Sequence, residues 1–199
     1  SSAPARGAIL MEAARLYRDR LDDIDRAQGV YRQVLEIDAA DPDLVVPAAK
    51  ALATIYQEQQ AHQKLADVLS TQVRLVQDDR ERRDLHARIA NIYEDLLEND
   101  GAAITAWQAR IEEDAADVPA LRALERLYER SEKWRALVEV MRSLEQVAEE
   151  PVERKRCMVK AAEVLAEELE EIDEAIAAWR SVLDDFGHDR FDVGGVRQI

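Results

Sequence analysis

The chain repeats itself, and the period leaves little choice of architecture. Ala14, Tyr17, Ala27, Tyr31, Leu35 and Asp38 recur 76 residues later as Ala90, Tyr93, Ala103, Trp107, Ile111 and Asp114. They return 72 residues further on as Ala162, Leu165, Ala175, Trp179 and Leu183. Between these copies a second kind of segment matches itself, Pro47, Ala51, Leu52, Tyr56 and Leu65 answering to Pro119, Ala123, Leu124, Tyr128 and Leu137 at an offset of 72. The anchors Tyr17, Tyr56, Tyr93, Tyr128 and Leu165 therefore fall 39, 37, 35 and 37 residues apart, which makes five units and a longer repeat of two units. A fixed period in this range marks stacked supersecondary units. The difference between 76 and 72 places a four-residue insertion within 41–46, opposite the shorter Asp117-Val118. An insertion of that kind is expected in a loop.

Each unit reads as two helices. Ile9, Leu10, Ala13, Leu16 and Tyr17 follow the three-and-four spacing of a helical stripe, and Ala27, Val30, Tyr31, Val34 and Leu35 repeat it after a break at Asp22-Asp23. Pro42, Pro47, Pro119 and Pro151 stand at or near expected helix starts, with Asp41, Asp117 and Glu150 ahead of them to accept free amide hydrogens, and Asp100 and Ser131 are expected caps elsewhere. The spacing predicts helices over 5–20, 24–38, 45–60, 62–77, 79–98, 102–115, 119–130, 132–148, 151–170 and 173–186. One such hairpin offers a single inner face and cannot bury its own stripe, so neighbours must stack. The fold class expected is all-α, an α-solenoid of about five antiparallel helix pairs with units near 5–40, 41–78, 79–116, 117–149 and 150–186, followed by a non-repeat tail over 187–199.

Composition narrows the function classes. With 42 Asp and Glu against 27 Lys and Arg, the net charge of -15 repels phosphate backbones and anionic lipid heads, so nucleic acid and membrane surfaces are not expected partners. No apolar run is long enough to cross a bilayer, and Ser1-Ser2-Ala3-Pro4 has no basic segment ahead of an apolar one, which makes the cytoplasm the expected compartment. The single cysteine, Cys157, has no intramolecular disulfide partner and is expected to be a buried small residue. His62, His86 and His188 lie far apart and in no metal-binding or catalytic spacing, and no phosphate loop or nucleophile elbow is present. Acidic pairs such as Glu167-Glu168, Glu170-Glu171 and Asp173-Glu174 lack the alternation and glycine of a calcium loop and read as a solvated helix end. No catalytic residue, cofactor or metal is expected, and the chain is not expected to be an enzyme. Trp134, which opens the eighth helix, is expected to pack between helices.

The small-then-aromatic pattern resembles the tetratricopeptide repeat (TPR) family from about Ala8 to Phe186. Tyr17, Tyr56, Tyr93 and Tyr128 match the aromatic of the first helix (A), and Ala27, Ala66, Ala103 and Ala175 match the alanine of the second (B), one residue later than usual. The chain departs from that pattern in carrying Ala14, Ala53, Ala90 and Ala162 where the family places glycine, in lacking most unit-closing prolines, and in Glu125 and a shorter internal turn in the fourth unit. Other helical-pair solenoids, HEAT-type ones included, remain open. The resemblance implies a right-handed superhelix serving as a scaffold or adaptor, with a partner protein or peptide held along the concave surface lined mainly by the A helices.

If the residues six and two before each anchor and one after it face inward, the lining includes Met11, Arg15, Arg18, Lys50, Thr54, Gln57, Asn91, Glu94, Arg122, Arg126, Glu129 and Glu163, richer in cations than the chain as a whole. Arg15, Lys50, Asn91, Arg122 and Arg126 are the candidate partner-binding residues, suited by charge-assisted hydrogen bonding to an acidic or carboxylate-bearing peptide. The carboxylate clamp of chaperone-binding TPR proteins is not matched, because Thr54 accompanies Lys50 and Ala87 precedes Asn91. The alternative is that these cations pair with glutamates on adjacent helices. The period breaks after Phe186, so an uncapped end is expected to leave apolar surface, and homo-oligomers through such ends, or service as a spacer of a larger protein, form the second class of function.

Overall fold

The computed structural model describes residues 3–37 and 41–187, and among them every regular element is a helix. In chain order these are α1 (Ala3–Asp19), α2 (Ile24–Ile37), α3 (Pro42–Glu58), α4 (His62–Val73), α5 (Asp79–Asn91) running on through a π-helical turn (Ile92–Leu96), α6 (Asp100–Glu113), α7 (Val118–Arg130), α8 (Trp134–Val147), α9 (Pro151–Glu167) and α10 (Ile172–Phe186). They group into two compact units, Ser1–Glu113 with α1 to α6 and Asp114–Ile199 with α7 to α10. Within each unit every helix packs on the next along the chain, so short turns make successive helices antiparallel pairs. Apart from Gly187, the expected tail lies outside the described residues.

The turns inside the pairs explain why the repeat is two units long. Each holds one non-glycine residue in the left-handed region, Asp22, Gln60, Glu98, Glu132 and Glu170. That conformation costs about 1–2 kcal/mol for an L-residue, and it recurs because it lets amide hydrogens fold back on the last helical carbonyls. In the second and fourth pairs the closure is a Schellman motif: Gln60 donates to the Gln57 carbonyl (3.2 Å) and Ala61 to that of Tyr56 (2.8 Å), as do Glu132 to Glu129 (3.2 Å) and Lys133 to Tyr128 (2.9 Å). The first, third and fifth pairs hold one residue more. There Leu21, Leu97 and Leu169 donate to Leu16, Ile92 and Val164 across a widened turn, and Asp23, Asn99 and Glu171 reach back to Tyr17, Tyr93 and Leu165. The shorter turn expected of the fourth unit alone is thus shared by the second, and all five anchors close their turns through their own carbonyls.

Helix starts follow local chemistry, with corrections. The carboxylates of Asp41, Asp78 and Asp117 accept from the amides of Asp43, Glu81 and Ala120 at 2.7–3.0 Å, and Asp23 and Asn99 do the same for Arg26 and Ala102 at 3.0 Å. Asn99 rather than Asp100 therefore caps α6, Ser131 ends α7 instead of starting α8, and Glu150 makes no side-chain cap. The four-residue insertion is not a loop. Asp41 caps and Pro42 opens a helix that absorbs the extra residues, so α3 is 17 residues long where α7 is 13, and Pro47 lies inside it. Proline fits a first turn, where its missing amide hydrogen has no helical acceptor anyway, and Pro42 takes that place.

The core sits where small and large side chains interlock. Ala14, Ala27, Ala53, Ala66, Ala90, Ala103, Ala162 and Ala175 are all buried, which lets paired helices approach closely, and Tyr31 and Trp107 fill the space one turn beyond Ala27 and Ala103. Leu69, Leu121, Leu137, Met141 and Leu165 complete it. Trp134 is half-buried at the start of α8. Cys157 is buried in α9 with its sulfur 3.5 Å from a Glu153 oxygen, and burial, with that carboxylate beside it, pushes the thiol up to about 12, so it stays protonated and unreactive at neutral pH.

Candidate partner-binding surface

The A helices of each unit are joined by a ladder of polar pairs between residues 31 apart. In the first unit Lys50 Nζ of α3 lies 2.8 Å from Glu81 of α5, and Arg88 of α5 donates to the Gln57 side chain of α3 at 2.7 Å. In the second unit the same register gives Arg122 with Glu153, Glu125 with Arg156 at 2.7 Å, and Glu129 with Lys160 between α7 and α9. Arg122 also meets Glu125 of its own helix at 2.8 Å, and Arg156 meets Glu153 at 3.0 Å, so two arginines and two glutamates form a closed square whose most buried member is Glu125, 13% exposed. Arg122 is engaged in holding α7 to α9. Arg126 is exposed one turn further along and already has an interaction of its own. Opposite charges 31 residues apart are a signal visible in the sequence; it lies outside helical spacing, so a search along one helix passes over it.

Between α1 and α3 the ladder has no ionic rungs. By the repeat, Met11 and Arg18 of α1 stand where Lys50 and Gln57 stand on α3, and Leu44 and Ala51 of α3 stand where Glu81 and Arg88 stand on α5. Arg15 and Arg18 pair along their own helix, with Glu12 at 3.8 Å and with Asp19 at 2.7 Å, and from α3 the Glu58 carboxylate acts on Arg18 through space without lining the space between the two helices. The Asp19 carboxylate raises Arg18 above its ordinary value, and Arg18 in turn holds Asp19 below its own. The result is an open hollow of about 300 Å³ lined by Met11, Arg15, Arg18, Tyr31, Pro47, Lys50, Ala51 and Thr54, with three cations and no anion. Burial raises the Tyr31 phenol, keeping it a neutral donor beside the guanidinium of Arg18. Of the candidates, Arg15 and Lys50 meet in this hollow. Asn91 is exposed on α5 and does not line it, although it occupies the place of Arg15 and Thr54, two residues ahead of its anchor.

In the first and third pairs a buried Ala14 or Ala90 stands ahead of a tyrosine anchor on helix A, and a buried alanine-then-aromatic step, Ala27 with Tyr31 and Ala103 with Trp107, follows on helix B; the other pairs keep parts of this pattern. The array is TPR-like. No family model matches the chain, and no curated protein matches it. Among solved structures it is similar to YrrB, a TPR protein with an unusual peptide-binding site, at 14% identity over 90% of this chain and 86% of that one with a TM-score of 0.45. It is also similar to MamA (17% identity, 96% and 98% covered, TM-score 0.44) and to BtubC from P. vanneervenii (15% identity, 98% and 94% covered, TM-score 0.42).

Other groups of the TPR-like array serve packing. Among the described residues no three His, Cys, Asp or Glu side chains are close enough together to hold a metal ion, and no helix is long and apolar enough to cross a membrane. His86 of α5 is largely buried with Glu113 at 3.8 Å, a carboxylate that Arg82 also pairs with. Burial lowers its proton affinity more than Glu113 raises it, with Arg82 and Arg110 adding to the lowering and Glu112 opposing it. The folded chain thus resists a proton that the unfolded chain accepts near pH 6.5, so stability falls as pH drops through that value until the folded imidazole is itself protonated. NMR titration is expected to place His86 below 6.5, and His86→Gln to flatten the pH dependence of the midpoint between pH 7 and 5.

Proposed function

We propose that the protein is a non-catalytic interaction scaffold that receives an acidic segment of a partner protein, extended or helical, in the hollow between α1 and α3. Arg15, Arg18 and Lys50 supply charge-assisted hydrogen bonds to carboxylates, while Met11, Pro47 and Ala51 offer apolar contact between them. The observation that carries this reading is a wall of three cations without an anion in a chain of net charge -15. The existing pairs are no obstacle. Arg15 with Glu12 and Lys50 with Glu81 are more than 40% exposed on both sides. Exposed pairs of this kind are worth about 0–1 kcal/mol, less than a well-placed peptide carboxylate returns. Asn91 of the same unit occupies the corresponding row of α5 and would extend the contact along a longer ligand.

The test is direct titration of a fluorescein-labelled peptide of alternating Glu and Leu, and of its Gln-for-Glu counterpart, into the intact protein. The acidic peptide is expected to bind more tightly than the neutral one, to weaken with added salt, and to lose about tenfold or more in affinity, about 1.4 kcal/mol, with Arg15→Glu/Lys50→Glu. Equal binding of both peptides, or of the acidic peptide to both proteins, would sink the assignment.

A further inference from the structure

The two terminal helices expose apolar faces that the repeat buries elsewhere. On α10, Ile176, Trp179 and Leu183 form one stripe, with Trp179 37% and Leu183 60% exposed. The repeat aligns Trp179 with Tyr31, which is 1% exposed, and Leu183 with Leu35; both border α3, Tyr31 beside Ala51 and Leu35 beside Leu52. The exposed stripe of α10 is thus the face with which a B helix receives the next A helix. On α1, Ile9 and Leu16 are exposed, Ile9 by 67%, with Ala13 between them. Their counterparts are Ala48, Leu52 and Ile55 on α3 and Leu85, Ile89 and Ile92 on α5, all buried. Leu52 lines one hollow with Leu35 of the preceding α2, and Ile89 lines another with Ser70 and Val73 of the preceding α4. The exposed face of α1 is thus the one with which an A helix seats on the B helix before it.

We infer that α10 of one copy of this chain receives α1 of a second copy, in the register that α2 and α3 use within a chain. The charges fit that register. The C-terminal end of α2 leads into the start of α3, so the same arrangement sets the end of α10 that carries Asp184 against the end of α1 that carries Arg6, and the end that carries Asp173 against the end that carries Arg20, all four being exposed. The net charge of -15 opposes the approach, yet at physiological salt the repulsion is screened beyond about 8 Å, and the local match of an acidic α10 with Arg6 and Arg20 decides. The contact uses different surfaces on the two copies, so each added copy leaves one α10 and one α1 free, and assembly continues unless it closes on itself.

Sedimentation velocity over a concentration series of the intact chain tests the inference. The wild type is expected to gain mass with concentration. Ile176→Glu/Leu183→Glu and Ile9→Glu/Leu16→Glu, both at exposed sites and checked for unchanged circular dichroism, should each be monomeric alone. Their equimolar mixture should reach twice the monomer mass and no more, because only one sound pair of faces remains. A wild type that stays monomeric, with α10 covered by residues 188–199 or reserved for another protein, overturns the inference. So does an Ile9→Glu/Leu16→Glu variant that still dimerises, which would join α10 to α10, or a mixture that stays monomeric.

Discussion

Leu137→Ala is expected to cost about 2–5 kcal/mol, the largest loss from any single truncation considered, while Leu183→Ala costs no more than about 0.5 kcal/mol. Both are leucines on B helices, but Leu137 is fully buried in α8 and Leu183 stands in solvent on α10. Truncating the first removes apolar area from the core and leaves a cavity that close-packed surroundings fill only in part. In a chain of this length each kcal/mol moves the thermal midpoint by about 2–4 °C, so differential scanning calorimetry separates the two variants easily. Equal midpoints would mean that α8 is not packed between α7 and α9. Because stacked pairs draw stability from their neighbours, the loss is expected to be felt most by α7 and α9, and hydrogen exchange in those helices should quicken while that of α1 and α2 stays as it was.

Glu125→Leu comes next, with an expected loss of about 1–3 kcal/mol. Its carboxylate is the buried corner of the square made with Arg122, Arg156 and Glu153, and removing it leaves two guanidinium groups facing each other with one acceptor fewer. The figure stays below that for a fully buried pair because the arginines are more than a third exposed, so water screens part of the repulsion. Arg122→Met/Glu125→Leu/Arg156→Met should recover most of the loss, since apolar side chains of similar volume replace such a network at little net cost. Chemical denaturation of the three proteins gives the comparison. If the single variant were as stable as the wild type, the square would be a decoration of the surface and Arg122 would be available to a partner after all.

The same square marks the limit of what the sequence shows. Helix content, the five pairs, the small positions at Ala14, Ala53, Ala90 and Ala162 and the aromatic fillers were all legible, because they depend on spacings of three, four and about 37 residues along a chain whose local periodicity is its packing instruction. Placing the insertion in a loop failed for a local reason that could have been read: Asp41 followed by Pro42 starts a helix as well as Asp117 with Pro119 does. The fate of the cations could not be read that way. Lys50 and Arg122 look alike, each six residues before a tyrosine, yet Lys50 opens on a hollow without anions and Arg122 is closed into a network. Each meets a glutamate brought by the next A helix 31 positions on, Glu81 or Glu153; what separates them is that Arg122 also holds Glu125, which Arg156 of α9 pairs with in turn, whereas the other side of Lys50 lines a hollow against α1 into which no carboxylate projects. A helix's own sequence determines that it forms and which stripe it buries; only the tertiary structure decides which of its charges meet a partner, because pairing across helices depends on angstrom-scale register that no single helix encodes.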